Sequence, residues 1–265
     1  MMSQNKLRGV LIGSGAVATA LSVAMLKSAG VQWLQVYSPT LEHADALAGS
    51  LGCEGVDDLD LVARDADFYL VSVKDDAIAE IVSKVKFGHD ALWMHTSGGV
   101  PADIFKVIAT RYGVFYPLQT FSKGVDVEMS EVPMFIEGSD PLTQDEIVNI
   151  AKKISGSVSI ADSTLRKRLH CAAVFACNFT NHLWGVSDEI LRHNPGLDIK
   201  VLKPLLQETL RKAMTIPPFE AQTGPAMRGD TLLMESHKSM LTPAQSSLYD
   251  YMSAQIMHQH NVVSK

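Results

Sequence analysis

LRGVLIGSGAVATALSVAMLKSA, residues 7–29, runs from an apolar triplet (Val10, Leu11, Ile12) into Gly13-Ser14-Gly15-Ala16-Val17-Ala18 and then into a helical pattern that stops at Gly30. Strand, glycine turn and helix in this order are what a dinucleotide needs. Gly13 lets the chain leave the strand in a tight turn that a Cβ would obstruct. Gly15 lets the backbone approach a pyrophosphate, whose charge then rests on the free N–H groups of the helix N-terminus. Ser14, Ala16 and Val17 complete that cofactor contact, and Ala18 is small enough for the helix to pack on the strand. Small-residue turns also serve plain packing; the position after a strand and before a helix favours the cofactor.

Further along, the strand Gln32–Tyr37 ends in Ser38-Pro39-Thr40. An acidic residue there would hold the ribose hydroxyls of NAD. None is present, so Ser38 points to NADP as the cofactor, with NAD as the alternative. The same residues also read as a turn in which Thr40 caps the helix Leu41–Leu51, which Gly52 closes. More strands are expected near Cys53–Val56, Phe68–Val73, Ala91–His95, Val114–Pro117, Val132–Glu137 and Val158–Ile160. Phe68–Val73 is nearly all apolar, as in a parallel strand buried on both faces. Pro133 argues for an edge or late position of its strand. Between the strands, Asp57–Asp65 reads as helical, Asp75 or Asp76 as the cap of a helix beginning at Ala77, and Pro101 as part of a helical first turn.

Strands alternating with helices imply an α/β fold, a Rossmann-type doubly wound, mostly parallel sheet. Ligands then collect beyond the C-terminal strand ends. Val73 and Lys74, and His95, Thr96 and Ser97, accordingly join the candidate cofactor residues, and Gln119 is a candidate on the substrate side. After residue 161 the strand signals cease. The expected organisation is a dinucleotide-binding domain over 1–161 and an all-helical substrate and dimerisation domain over 162–265. Helices are expected over Leu197–Met214, Asp230–Met240 and from Thr242 to about His260, the last opened by a capping box of Thr242 and Gln245.

Leu165 to Leu183 reads as one two-faced helix. At 3.6 residues per turn, Leu165, Leu169, Ala172, Ala176, Phe179 and Leu183 share an apolar stripe. The other side carries Lys167, His170, Val174, Cys177, Asn178 and Asn181, polar but hardly charged beyond its first turn, as the lining of a cleft would be. His170 suits a proton donor or substrate anchor because its ordinary pKa lies near neutrality. Asn178 would orient a substrate and Asn181 line its site. The alternative is that His170 and Asn178 are core residues bonded to a neighbouring helix. A metal site from His170, Cys171, Cys177 and His182 is disfavoured, since no ligand spacing repeats. In Gln222–Asp230, Arg228 suits a bidentate clamp on a carboxylate and Asp230 a helix cap; a structural Arg–Asp pair is the other reading.

With 23 basic and 29 acidic residues the net charge is −6, which disfavours nucleic acid as a partner. No apolar run reaches the length of a membrane span and the first residues lack a signal-peptide core. Three cysteines without a C-x-x-C pair fit a reduced, cytoplasmic protein.

GSGAVA (13–18), VSVKDDAI (71–78), HTSGG (95–99), YPLQTF (116–121), HCAAVFACNF (170–179) and TGPAMRGD (223–230) together resemble a bacterial family of Rossmann-like oxidoreductases carrying the domain of unknown function 2520. That family is similar to pyrroline-5-carboxylate reductase and to deazaflavin-dependent NADP reductases. The resemblance implies an N-terminal NADP-binding domain and a helical C-terminal domain that forms a homodimer. The family often has Arg where this chain has Pro39, and His where it has Tyr116. By position, His170 is the nearest equivalent of the acid–base Lys of the related hydroxyacid dehydrogenases, an analogy of fold. The expected function is an NAD(P)-dependent oxidoreductase acting on a small carbonyl, hydroxy or imine/amine substrate bound between the domains. The alternatives are a dinucleotide-binding sensor without chemistry and a deazaflavin-dependent NADP reductase.

Overall fold

Five strands, β1 (Arg8–Ile12), β2 (Gln32–Tyr37), β3 (Glu54–Val56), β4 (Phe68–Val71) and β5 (Leu92–His95), lie parallel to one another, and β6 (Arg111–Pro117) continues them. β7 (Met134–Gly138) runs antiparallel to β6 and parallel to the edge strand β8 (Val158–Ile160). The sheet order is β3-β2-β1-β4-β5-β6-β7-β8, so the direction of winding reverses between β1 and β4, where a ligand crevice opens in such sheets. These relationships come from a computed structural model that describes residues 6–262; the ends of the two expected domains, 1–5 and 263–265, lie outside the described residues.

The chain divides into two compact units, one ending at Ala176 and the other beginning at Cys177. In the first, alternation along the strands sends side chains to two cores. Leu11, Phe68, Leu70, Leu92 and Met94 pack on one face with Leu21 and Met25 of helix α1 (Ala16–Ser28) and Leu47 of α2 (Leu41–Leu51). Val10, Ile12, Tyr69, Val71 and Trp93 pack on the other with Ile78 and Ile81 of α3 (Asp75–Lys84). Burial on both faces is why β4 and β5 are apolar throughout. α4 (Pro141–Ala151) starts at Asp140, whose side chain accepts from the N–H groups of Leu142 and Thr143.

Several expectations need correction. Asp57–Asp65 holds one 3₁₀ turn, Leu59–Leu61, capped by Asp58, because only Leu59 and Val62 reach the core. Residues 102–107 also form a 3₁₀ helix, with Pro101 preceding it. α3 begins at Asp75, with Lys74 at the N-cap and both aspartates in the first turn, where they favour the helix dipole. Thr40 occupies the N-cap of α2 without a side-chain cap bond, whereas Gly52, at φ 71°, closes that helix as expected. Pro133 lies just outside β7, which holds the late position expected, next to the edge strand β8, but is not itself an edge strand.

The expected single helix is α5 (Ser163–Ala173), a π-helical segment (Val174–Phe179) and α6 (Thr180–Leu191). Wider i→i+5 turns alter the angular step, so an apolar stripe reckoned at 3.6 residues per turn does not extend through residue 183. In the second unit, α7 (Lys203–Ala213) follows a 3₁₀ turn at Ile199–Leu202, and α8 (Pro225–Arg228) packs against α10 (Pro243–Gln259). α9 (Thr231–Lys238) begins at Asp230, which accepts from Leu233 N–H, and α10 carries the expected Thr242–Gln245 capping box. Among the described residues of this unit only Ala226 and Gly229 are buried.

Candidate active site

β1 ends in Gly13, whose φ of 121° belongs to glycine, and a Cβ there would stand 2.1 Å from the Ser72 carbonyl oxygen. The turn is tied down on both sides: Gly13 N–H donates to Tyr37 O at 2.8 Å, and Ser72 N–H donates to Ile12 O at 2.7 Å. Gly15, the N-cap of α1, has no side-chain cap, and the position of its absent Cβ meets no atom within 4 Å. The first turn of α1 therefore offers free N–H groups beside open space, which fits a pyrophosphate. Ser14 Oγ donates to Ser38 Oγ at 3.0 Å, and Ser38 is buried at the end of β2. Gly13, Ser14 and Gly15 thus form one turn that leads into α1 at Ala16 and is bonded to Ser38, while Val17 packs against the core.

The ends of β4 and β5 form the next part. Ser72 is buried, Val73 half-buried and Lys74 exposed. Thr96 Oγ1 donates to Ser72 Oγ at 3.1 Å. His95 is fully buried. Its Nδ1 accepts from Ser97 N–H at 3.1 Å and its Nε2–H donates to Pro101 O across 3.4 Å. Burial first, and the nearby Arg166 charge second, push its pKa down to about 4 against the bond to Pro101, so the ring is neutral at physiological pH. Ser97 Oγ accepts from Gly99 and Val100 N–H, both at 3.0 Å. His95 and Ser97 thus shape the turn over residues 96–101 from within.

A second anchor on that turn is Arg166, in the first half of α5. It is fully buried, pairs with Glu137 of β7, and donates to Ala161 O at 3.0 Å and Val100 O at 2.9 Å. Among the described residues its Nε has no partner. One turn later His170 is exposed, with Nδ1 3.1 Å from Tyr116 Oη at the end of β6. Burial, and Asp75 beyond it, hold the Tyr116 hydroxyl above its ordinary pKa against the opposing charge of Arg166. The Tyr116 ring lies so close to Gly98 that a Cβ there would come within 2.8 Å of it. Gln119, exposed just beyond β6, accepts from Thr120 N–H at 2.8 Å.

The other sequence-derived candidates belong to the second unit. Asn178 is exposed in the π-helical segment. Asn181 lines an apolar groove of about 560 Å³ with Trp184, Gly185, Asp188, Ile199 and Leu206. Arg228 ends α8, exposed, and among the described residues it forms no ion pair, so the Arg–Asp pairing is not made. Sequence reading passed over Arg166 and Tyr116 as site residues. The available signals were a cation one turn before His170 and a phenol at a strand end.

The profile of the family described as Domain of unknown function (DUF2520) matches residues 132–256. A solved structure from Bacteroides fragilis, named "putative NADP oxidoreductase", is 41% identical over 98% of this chain and 100% of its own, with a TM-score of 0.90. The chain belongs to the Rossmann-like oxidoreductases that carry DUF2520. Two more distant structures share the fold of this family. An imine reductase from Myxococcus stipitatus, in complex with NADP+, is 16% identical over 97% of this chain and 95% of its own, TM-score 0.67. A 1-pyrroline-5-carboxylate reductase from Streptococcus pyogenes is 13% identical over 96% and 100%, TM-score 0.61. No curated protein sequence matched the chain. Among the described residues no helix is long and apolar enough to cross a membrane.

Proposed function

We propose that the chain is an NADP-preferring reductase of a small carbonyl or imine substrate, with His170 as proton donor. The observation that carries this reading is the uncapped start of α1 at Gly15, open on its outer side, at the point where the sheet reverses its winding. Gly13, Ser14, Gly15, Ala16 and Val17 would hold the pyrophosphate. Ser38, with no acid next to it in the chain, would accept the 2′-phosphate of NADP better than a carboxylate would. Val73, Lys74 and the turn over His95–Ser97 would border the nicotinamide, which supplies a hydride when bound in its reduced form. The NADP in the name of the 41%-identical relative supports the same cofactor.

His170 is exposed and, among the described residues, hydrogen-bonded on Nδ1 alone, as a group exchanging protons with substrate and solvent should be. Gln119, Asn178, Asn181 and Arg228 are proposed to orient the substrate, Arg228 as a free guanidinium suited to a carboxylate. The assignment of 1–161 to cofactor binding and 162–265 to substrate binding and homodimer formation belongs to this proposal, as does a cytoplasmic location. Three free thiols support the latter.

Quenching of tryptophan fluorescence on titration with NADPH and NADH tests the reading. Saturable binding, tighter for NADPH, is the expected result; no binding of either at millimolar concentration rejects it. A screen of carbonyls and cyclic imines that follows NADPH absorbance should then find turnover, and loss of turnover in His170→Ala at unchanged cofactor affinity would assign the proton donor.

A further inference from the structure

We infer that Tyr116 is a positioning residue that fixes which nitrogen of His170 gives up the proton, an inference that rests on the reductase reading above. Its hydroxyl lies 3.1 Å from Nδ1 of His170. The two rings meet edge to face, with centroids 6.4 Å apart. Tyr116 itself is 7% exposed, whereas His170 is exposed.

A phenol hydroxyl both donates and accepts. When the His170 ring is doubly protonated, Nδ1–H donates to Tyr116 Oη. Once the ring has given up its Nε2 proton, Nδ1 keeps its own and still donates to Tyr116 Oη. Nδ1 is engaged in either state, so the mobile proton is always the one on Nε2. In the reduction, a hydride passes from the reduced nicotinamide to the substrate carbon. The Nε2–H bond of the doubly protonated His170 ring breaks, its electron pair stays on Nε2, the ring is left neutral with its proton on Nδ1, and the released proton joins the substrate oxygen or nitrogen. Water then returns a proton to Nε2. Tyr116 loses and gains nothing over the cycle.

The surroundings hold this pair in register from both sides. Below, the absence of a side chain at Gly98 admits the Tyr116 ring. Above, Arg166 fastens α5 to Glu137, Ala161 O and Val100 O one turn before His170. A helical residue four positions on lies over the same face, which brings His170 to Tyr116. The phenol thus receives a ring whose backbone is already fixed.

Tyr116→Phe keeps the ring and removes the hydroxyl. We expect kcat to fall at least tenfold, with the NADPH dissociation constant unchanged and the thermal midpoint nearly so. In the His170→Ala background the same change should cost nothing further, because the hydroxyl acts only through the imidazole. Wild-type kcat in Tyr116→Phe, or losses that multiply in the double variant, would overturn the inference. A second readout needs neither cofactor nor substrate: ¹⁵N spectra of the histidine rings in the free protein, with His170 assigned by its loss in His170→Ala. The His170 signals should report one tautomer in the wild type and move toward a mixture in Tyr116→Phe. Unchanged signals overturn the inference even if no substrate is found. Changed signals in a protein that turns over nothing support the contact and put the failure in the reductase reading.

Discussion

Ser14 and Ser38 share a hydrogen bond of 3.0 Å that joins the glycine turn after β1 to the end of β2. The bond places a neutral hydroxyl, 4% exposed, where an acid would select NAD. It ties the glycine turn to the end of β2, so a change at Ser38 reaches both.

Ser38→Asp should therefore invert the cofactor preference. A carboxylate at this position repels a 2′-phosphate and accepts from ribose hydroxyls. The ratio of NADPH to NADH affinity is expected to drop by about tenfold or more, roughly 1.4 kcal/mol. Competition titrations of both nucleotides on one protein sample give the ratio directly. A general loss of stability from the new buried charge would weaken both nucleotides and leave the ratio alone.

The Arg166–Glu137 pair joins α5 to the sheet asymmetrically: the guanidinium is fully buried, while the carboxylate is 25% exposed. Glu137→Ala strands a buried cation with only two carbonyl partners, and should cost about 3–5 kcal/mol. Arg166→Met removes the charge that water cannot reach and leaves one that it can, so its cost should be the smaller of the two. Urea denaturation of both variants checks the order. The reverse order would mean that Glu137 depends on the pair more than Arg166 does.

His95 makes stability depend on pH. Its folded pKa is about 4, below the roughly 6.5 of an unfolded histidine. Between these values the unfolded chain binds the extra proton, so stability rises with pH across the window and falls as pH drops from 6.5 toward 4. The loss attributable to this one group is roughly 3 kcal/mol. Urea midpoints at pH 7 and pH 4.5 should differ less for His95→Gln than for the wild type. Equal differences would remove His95 as the cause.

How far the sequence could be read depended on whether the determining atoms were close along the chain. The turn at Gly13, the Gly52 stop and the Thr242–Gln245 box are local, and each was legible from a few residues. Asp57–Asp65 misled because charge spacing resembles a helix where only a 3₁₀ turn has core to rest on. The π-helical turn at Val174–Phe179 breaks the period on which the face of Asn178 and Asn181 was reckoned. Arg166 meets Glu137 across 29 positions and His170 meets Tyr116 across 54, so neither pair has a local signature. His95 lay at a strand end in the sequence, yet only the fold shows that both its nitrogens are used inside the 96–101 turn.

The helical unit supplies the last prediction. Leu210 and Met214, one turn apart at the end of α7, are 63% and 74% exposed, and Leu232 of α9 is 86% exposed. Leu210 and Met214 share one face of α7 that a partner could cover, and a unit with two buried residues among those described has little core of its own. Burial against a second copy of the chain would cover it, and a stable interface needs about 1,200–2,000 Å² in total. Sedimentation at micromolar concentration is therefore expected to give twice the chain mass of 28.8 kDa. Leu210→Glu with Met214→Glu should shift the protein toward monomer and lower its unfolding midpoint, because charge placed in an apolar interface cannot be solvated. A wild-type protein that sediments as a monomer at these concentrations would remove the homodimer from the proposal and leave cofactor binding by the first unit as a separate question.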